Sequence, residues 1–279
     1  MEKILVALDS SQLNMVSVDF ACWLARLTNS KLIGVFLENR EGSELPELTT
    51  IGGFPFIETI TAKDIPGNKA RKSLCDEAIV EFEAACARRG VRSSIHRDST
   101  TPLQSLLEES KFADLLVIDP AMSFETTGDS VPPRFVEELL RGTECPVVLS
   151  PYSFNEVESI VFAYDGSPSA LFALKQFTYL LPQLSGKRAH VIQAVKDEGM
   201  SKSERKQLGE LLQPHYSSIG FMSITGAADH VLLDHLFDKK NSFLVLGAYG
   251  KSGFSRLLHQ STASSLIKTL NMPIFVAHK

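Results

Sequence analysis

Along this chain, short unbroken apolar runs alternate with longer stretches in which apolar residues recur every three or four positions. Residues 4–8, 31–37 (KLIGVFL), 91–96, 115–118 (LLVI) and 147–149 have the length of strands. Continuous apolar runs such as 4–8 and 115–118 suit strands buried on both faces. Between them, Val16, Phe20, Trp23, Leu24 and Leu27 fall on one helical face. Residues 70–89 form a long amphipathic stretch stopped by Gly90, Leu103, Leu106 and Leu107 mark a short helix, and a further helix runs to about Arg141. Ser10 and Ser11 are placed to cap the first helix. Residues 38–69 break the rhythm. They are rich in Gly, Pro, Thr and Glu, contain Gly52-Gly53, and read as a long excursion with a short hairpin around 54–60, because structureless connections of that length are uncommon.

The rhythm then restarts. Residues 160–163, 189–195, 220–224, 243–246 (FLVL) and 272–276 read as strands. Helical faces run through Leu171, Leu174, Phe177 and Leu181, through 201–216 with a break near Pro214, through 227–237 and through 263–270. Ser167 suits an N-cap and Pro168 the first helical turn. Three anchors relate the halves: Asp9 matches Asp165, LLVID at 115–119 matches FLVLG at 243–247, and CPVV at 145–148 matches MPIF at 272–275. The chain is therefore an internal duplication, with domains at 1–150 and 157–279 and a linker stiffened by Pro151. Strands alternating with helices imply an α/β fold with a parallel sheet in each half and helices on both faces.

Composition narrows the function classes. The chain has 279 residues and a net charge of −5, so there is no basic surplus to hold nucleic acid. No apolar run approaches the roughly 20 residues of a membrane span. The N-terminal MEKILVALDSS goes straight into a strand and polar turn and does not read as a signal peptide. Cys22, Cys75, Cys86 and Cys145 form no CxxC pair and read as reduced thiols, which points to the cytoplasm.

The stretch with most chemistry is 247–262, GAYGKSGFSRLLHQST, between the FLVL strand and the helix at 263–270. In open parallel sheets ligands bind outside the carboxyl ends of the strands. Gly247, Gly250 and Gly253 leave the backbone open to close approach. Ser261 or Thr262 would cap the next helix, whose N-terminus favours an anion, and Lys251 and Arg256 add positive charge. The pattern reads as a phosphate cradle; a plain strand-to-helix connector is the competing reading.

On these residues the sequence resembles the universal stress protein family, as two such domains in tandem over nearly the whole chain. The family's nucleotide-binding members carry Gly-x-x-Gly, nine residues, then Gly and Ser or Thr. Gly247 and Gly250 fit the opening, 251–259 fits the spacer with Gly253 inside it, Gln260 stands where the second glycine belongs, and Ser261 and Thr262 follow. The resemblance implies two Rossmann-like domains of the adenine nucleotide alpha hydrolase type, each a five-stranded parallel sheet. It implies ATP or another adenine nucleotide in the C-terminal domain, with Asp165 near the adenosine and Gly247, Gly250, Gly253, Ser261 and Thr262 around ribose and phosphates. It also implies pairing of the two halves through their last strands, with a homodimer and an unknown protein partner left open. Gln260 puts a side chain where phosphate approaches. In the first half Asp119 stands in the place of Gly247 and Met122 in that of Gly250, so that loop is expected not to bind ATP, and Asp9 is expected to serve the helix start.

Other chemistry is poorly supported. His230 and Asp234 are spaced for one helical face, but an exposed charge pair is the commoner outcome and no further ligand cluster joins them. Neither a G-x-S-x-G elbow nor a P-loop occurs, so turnover is expected to be at most that of a slow ATPase, and a non-nucleotide scaffold using the same fold is the alternative.

Overall fold

The computed structural model of the chain describes residues 1–38, 45–51, 54–60, 66–97, 101–124, 133–195, 199–226, 228–237, 241–247 and 271–277. Side chains are described in these ranges except at 45–51, 54–60, 66–71, 228–230 and 232. The elements, in order, are β1 (Lys3–Asp9), α1 (Met15–Thr28), β2 (Lys31–Leu37), β3 (Leu45–Ile51), β4 (Phe54–Ile60), α2 (Pro66–Arg88), β5 (Ser93–Arg97), α3 (Pro102–Ser110), β6 (Leu115–Ile118), α4 (Arg134–Gly142) and β7 (Val147–Leu149). The second half continues with β8 (Ser159–Ala163), α5 (Pro168–Leu180), a 3-10 turn at Pro182–Leu184, β9 (Arg188–Val195), α6 (Lys202–Leu212), β10 (Ser218–Thr225), α7 (Ala228–Leu236), β11 (Ser242–Gly247) and β12 (Ile274–Ala277).

Ten strands form one sheet in the order β10-β9-β8-β11-β12-β7-β6-β1-β2-β5. Each half supplies five parallel strands, as the duplication requires. The halves meet at β7 and β12, which pair antiparallel with Ile274 opposite Leu149, Phe275 opposite Val148 and Val276 opposite Val147. β3 and β4 stand apart as an antiparallel hairpin within the insertion. The hairpin expected around 54–60 starts earlier, at Leu45, and α2 begins at Pro66, ahead of the expected start at residue 70. Proline is tolerated at a helix start because the first N–H groups have no intrahelical partner.

Helices cover both faces of the sheet. On one, Phe20, Phe82, Phe177 and Leu208 from α1, α2, α5 and α6 pack with strand residues of both halves. On the other, Leu106, Val136, Leu139 and Leu236 from α3, α4 and α7 do the same. Each layer runs unbroken from one half into the other. Phe177 stands edge-on to Phe243 and Phe275, with centroids 4.9 and 5.2 Å away. Phe20 reaches across the joint to Phe243 at 6.3 Å and packs on Phe154 of the linker at 5.0 Å. All four cysteines are free and buried, and the Sγ atoms of Cys22 and Cys86 lie 3.8 Å apart between α1 and α2.

Candidate functional site

Each half has a place where the strand order reverses. β1 lies between β2 and β6, and β8 lies between β9 and β11. Chain leaving the carboxyl ends of β1 and β6, or of β8 and β11, must diverge there, and the crevice so opened is where open α/β sheets hold ligands. Asp9 ends β1 and Asp119 follows β6. Asp165 follows β8 by two residues, and Gly247 ends β11. The four residues singled out by the duplication therefore line up in two matched pairs.

In the second half the turn from β8 to α5 is tight. Asp165 accepts a hydrogen bond from the Ser167 N–H at 2.8 Å, and the Ser167 hydroxyl caps α5 by accepting from the Ala170 N–H at 3.1 Å. Gly166 sits between them at φ +78°, a conformation glycine adopts without strain. Pro168 has no N–H and that of Ala170 is taken, so the start of α5 offers little to an anion.

Gly247 was expected at the opening of the loop; it is instead the last residue of β11, paired with Ala277 of β12. A Cβ at this position would lie 2.5 Å from the backbone N of Ala170 and the carbonyl carbon of Ser169. The strand end and the first turn of α5 touch backbone to backbone, and a glycine is required for that packing alone. Gly250, Gly253, Gln260, Ser261 and Thr262, with Lys251, Arg256 and the helix expected at 263–270, lie outside the described residues, as do Gly52 and Gly53.

Sequence reasoning missed two neighbours of Asp165. Tyr164 is buried, and its hydroxyl donates to Glu204 Oε1 of α6 at 3.0 Å. Burial, then the Glu204 hydrogen bond and the charges of Glu204 and Asp165, push the Tyr164 phenol up, so it remains a neutral donor. The signal was present as Ser201-x-x-Glu204, a capping-box spacing. Ser201 does cap α6, accepting from the Glu204 N–H at 3.1 Å, while the glutamate accepts from Tyr164.

The first half is built differently. Ser10 and Ser11 do not cap α1. The Ser10 hydroxyl donates to the Leu37 carbonyl at 2.8 Å, and Ser11 gives both its N–H and hydroxyl to Asp9 Oδ1 at 2.8 and 2.7 Å. The cap is Asn14, whose Oδ1 accepts from the Val16 and Ser17 N–H groups. The loop is longer than the serines implied, because a cap must directly precede the first helical turn and Ser10 is tied to β2. The Asn14 Nδ2 donates to Asp119 Oδ2 at 2.6 Å, and Asp119 Oδ1 accepts from the Ala121 N–H at 2.8 Å. Around these residues lies a cavity of about 590 Å³, lined by Asp9, Gln12, Leu13, Met15, Asp119 and Met122 among others. Tyr152 of the linker is near enough that burial and the Asp119 charge push its phenol up.

Among the described residues no group of three or more His, Cys, Asp or Glu could hold a metal ion, and no helix is long and apolar enough to cross a membrane. The His230 side chain lies outside the described residues; Asp234 is described on α7.

No family model matches the chain. A universal stress protein of Synechocystis sp. is 20% identical over 291 residues, covering 98% of this chain and 99% of that protein. The crystal structure of a universal stress protein from Archaeoglobus fulgidus DSM 4304 superposes with a TM-score of 0.68 at 16% identity, over 99% of this chain and 96% of the other. A functionally unknown protein from Pseudomonas aeruginosa PAO1 superposes with a TM-score of 0.61 at 16% identity, over 100% and 92%. The solved structures agree in fold, and the Synechocystis relative matches along its full length. Along its full length the chain is thus similar to a universal stress protein of tandem size, and its doubled α/β sheet shares the fold of solved universal stress proteins.

Proposed function

We propose that the chain is a tandem universal stress protein, with domains at 1–150 and 157–279, whose second half binds ATP or another adenine nucleotide in the cytoplasm and acts through a protein partner without efficient turnover. The observation that carries this reading is the placement of Asp165 and Gly247 at the carboxyl ends of β8 and β11, on either side of the order reversal. In this reading Asp165 accepts from the ribose or adenine, with the Tyr164 and Glu204 pair bordering the same end of β8. Gly250 and Gly253 admit the backbone to the phosphates, and Ser261 and Thr262 with the following helix start take the terminal anion. The start of α5 is largely spent on its own cap, so the anion cradle depends on 250–262.

The test is mass spectrometry of small molecules released by denaturing freshly purified protein, followed by calorimetry with ATP and AMP on the wild type and on Gly250→Val. One adenine nucleotide per chain, with binding abolished in the variant, is the expected result. Unchanged affinity in the variant would sink the loop assignment.

A second reading has one observation in its favour. Gly247 is needed for the backbone contact with Ser169 and Ala170 whether or not a ligand binds. A scaffold that binds no nucleotide would keep this glycine and tolerate Gln260. An empty extract and no heat after ATP addition would select it.

A further inference from the structure

We propose that the cavity at the order reversal of the first half is a binding site for a small organic cation of the alkylamine class, and that it excludes nucleotides. The inference concerns a different half from the nucleotide reading and stands or falls without it. At about 590 Å³ the cavity lies within the range of small-molecule sites, and it opens where β1 and β6 diverge. Among the described residues that line it are two carboxylates, Asp9 and Asp119, and no Lys or Arg. A phosphate there would meet the negative charge of both carboxylates.

The hydrogen-bond inventory points the same way. Asn14 caps α1 with its oxygen and donates its amide to Asp119, whose second oxygen is taken by the Ala121 N–H. The Ser17 hydroxyl is engaged with that of Ser150 at 2.7 Å. Asp9 Oδ1 takes both donors of Ser11, while no described residue donates to Asp9 Oδ2. Beside the Gln12 carboxamide, the unspent capacity among the described lining side chains includes this carboxylate oxygen, which is best met by a charged donor. Leu13, Met15, Ala121 and Met122 supply apolar wall for a short alkyl body, and thioether side chains adapt to its shape. An ammonium at the Asp9 end with a few methylenes beside the two methionines satisfies each of these features.

The test uses the full chain and 1,4-diaminobutane as probe, with 1,4-butanediol as the uncharged control of matching length and AMP as competitor. Saturation-transfer NMR and calorimetry are read at low and at 0.5 M salt. The expected result is saturable binding of the diamine that weakens at high salt, none of the diol, and no displacement by AMP. Asp9→Asn should cost at least tenfold in affinity with an unchanged melting temperature. Gln12→Lys, at an exposed position on the cavity wall, should abolish probe binding by offering Asp9 a tethered ammonium, and it keeps the proposal testable if Asp9→Asn is poorly folded. Gly250→Val should leave diamine binding intact. The proposal is overturned if the diamine shows no saturable binding, if the diol binds equally, if AMP displaces the probe, or if folded Asp9→Asn or Gln12→Lys binds like wild type.

Discussion

The two order reversals began as the same piece of chain and now solve the same geometric problem in opposite ways. In the second half Asp165 stands two residues before the cap Ser167, and Gly247 lets β11 close against the first turn of α5. In the first half Asp9 stands five residues before the cap Asn14, and Asp119 cannot close the gap as a glycine does; it reaches across and is held by Asn14. In one half the strand end meets the helix start backbone to backbone, and in the other side chains span the gap beside a cavity. The lesson is that the residue type at a switch point governs more than ligand access. With a side chain there the strand end and helix start cannot pack as closely as Gly247 and Ala170 do, and in the first half a cavity lies between them.

The largest expected effects test how far the two halves depend on one another. Phe177→Ala removes the ring that packs on Phe243 and Phe275 beside the joint, and should cost about 3–5 kcal/mol, the usual range for a buried aromatic. Because both core layers continue across β7 and β12, calorimetric melting should show the loss in a single transition for both halves. Two separate transitions, with only one displaced, would show the halves to be independent.

Next in size is Gly247→Ala. Its Cβ would sit 2.5 Å from backbone on α5, which cannot yield as a flexible side chain can, so a loss of about 1–3 kcal/mol is expected from urea midpoints. The reciprocal change, Asp119→Gly, has no such clash to relieve and should cost less. If Gly247→Ala is neutral, the contact does not set the close packing of this half.

The caps give a smaller contrast. Ser167→Ala removes one capping bond and should cost about 1 kcal/mol. Asn14→Ala removes two, together with the tie to Asp119, and should cost more, about 2 kcal/mol. Equal losses would mean that the Asn14–Asp119 bridge contributes nothing to stability.

An effect of similar size to the caps appears only in alkali. Burial pushes the Tyr216 phenol up to about 12, against an ordinary value near 10. Its folded pKa is raised, so its contribution is fully present below pH 10 and is lost as pH rises toward 12, where the unfolded chain has given up the proton and the folded one has not. The loss over that window should be on the order of 1–2 kcal/mol, and Tyr216→Phe should flatten the decline measured between pH 9 and 11. An equally steep decline in the variant would place the alkaline sensitivity elsewhere.

Much of the fold was legible because it rests on periodicity. The buried runs such as LLVI and FLVL, the restart after residue 150 and the Ser167-Pro168 helix start are local patterns with local causes. Asn14 was not legible as a cap, since Ser10 and Ser11 offered the same capping chemistry closer to the strand. What decided it was the Ser10 bond to Leu37, a contact spanning 27 residues. The Gly247 packing was hidden for the same reason, because its partner is the backbone of a helix far back in the chain. Tyr164 and Glu204 likewise meet only once α6 is folded over the end of β8. Position along the chain identified the candidate residues; their partners came from tertiary contacts that no local pattern encodes.

The antiparallel joint between β7 and β12 has a consequence for how such a molecule can diverge. In a pair of separate subunits, a change to one surface is imposed on both, and partners exchange at a rate set by dissociation and dilution. Here the segment after Ser150 tethers the two halves, so their meeting is a first-order event that dilution cannot reverse. The assembly is in effect a heterodimer that never separates. The two halves are free to differ at matching positions, as Asp119 and Gly247 do, and every molecule carries both versions in a fixed one-to-one ratio.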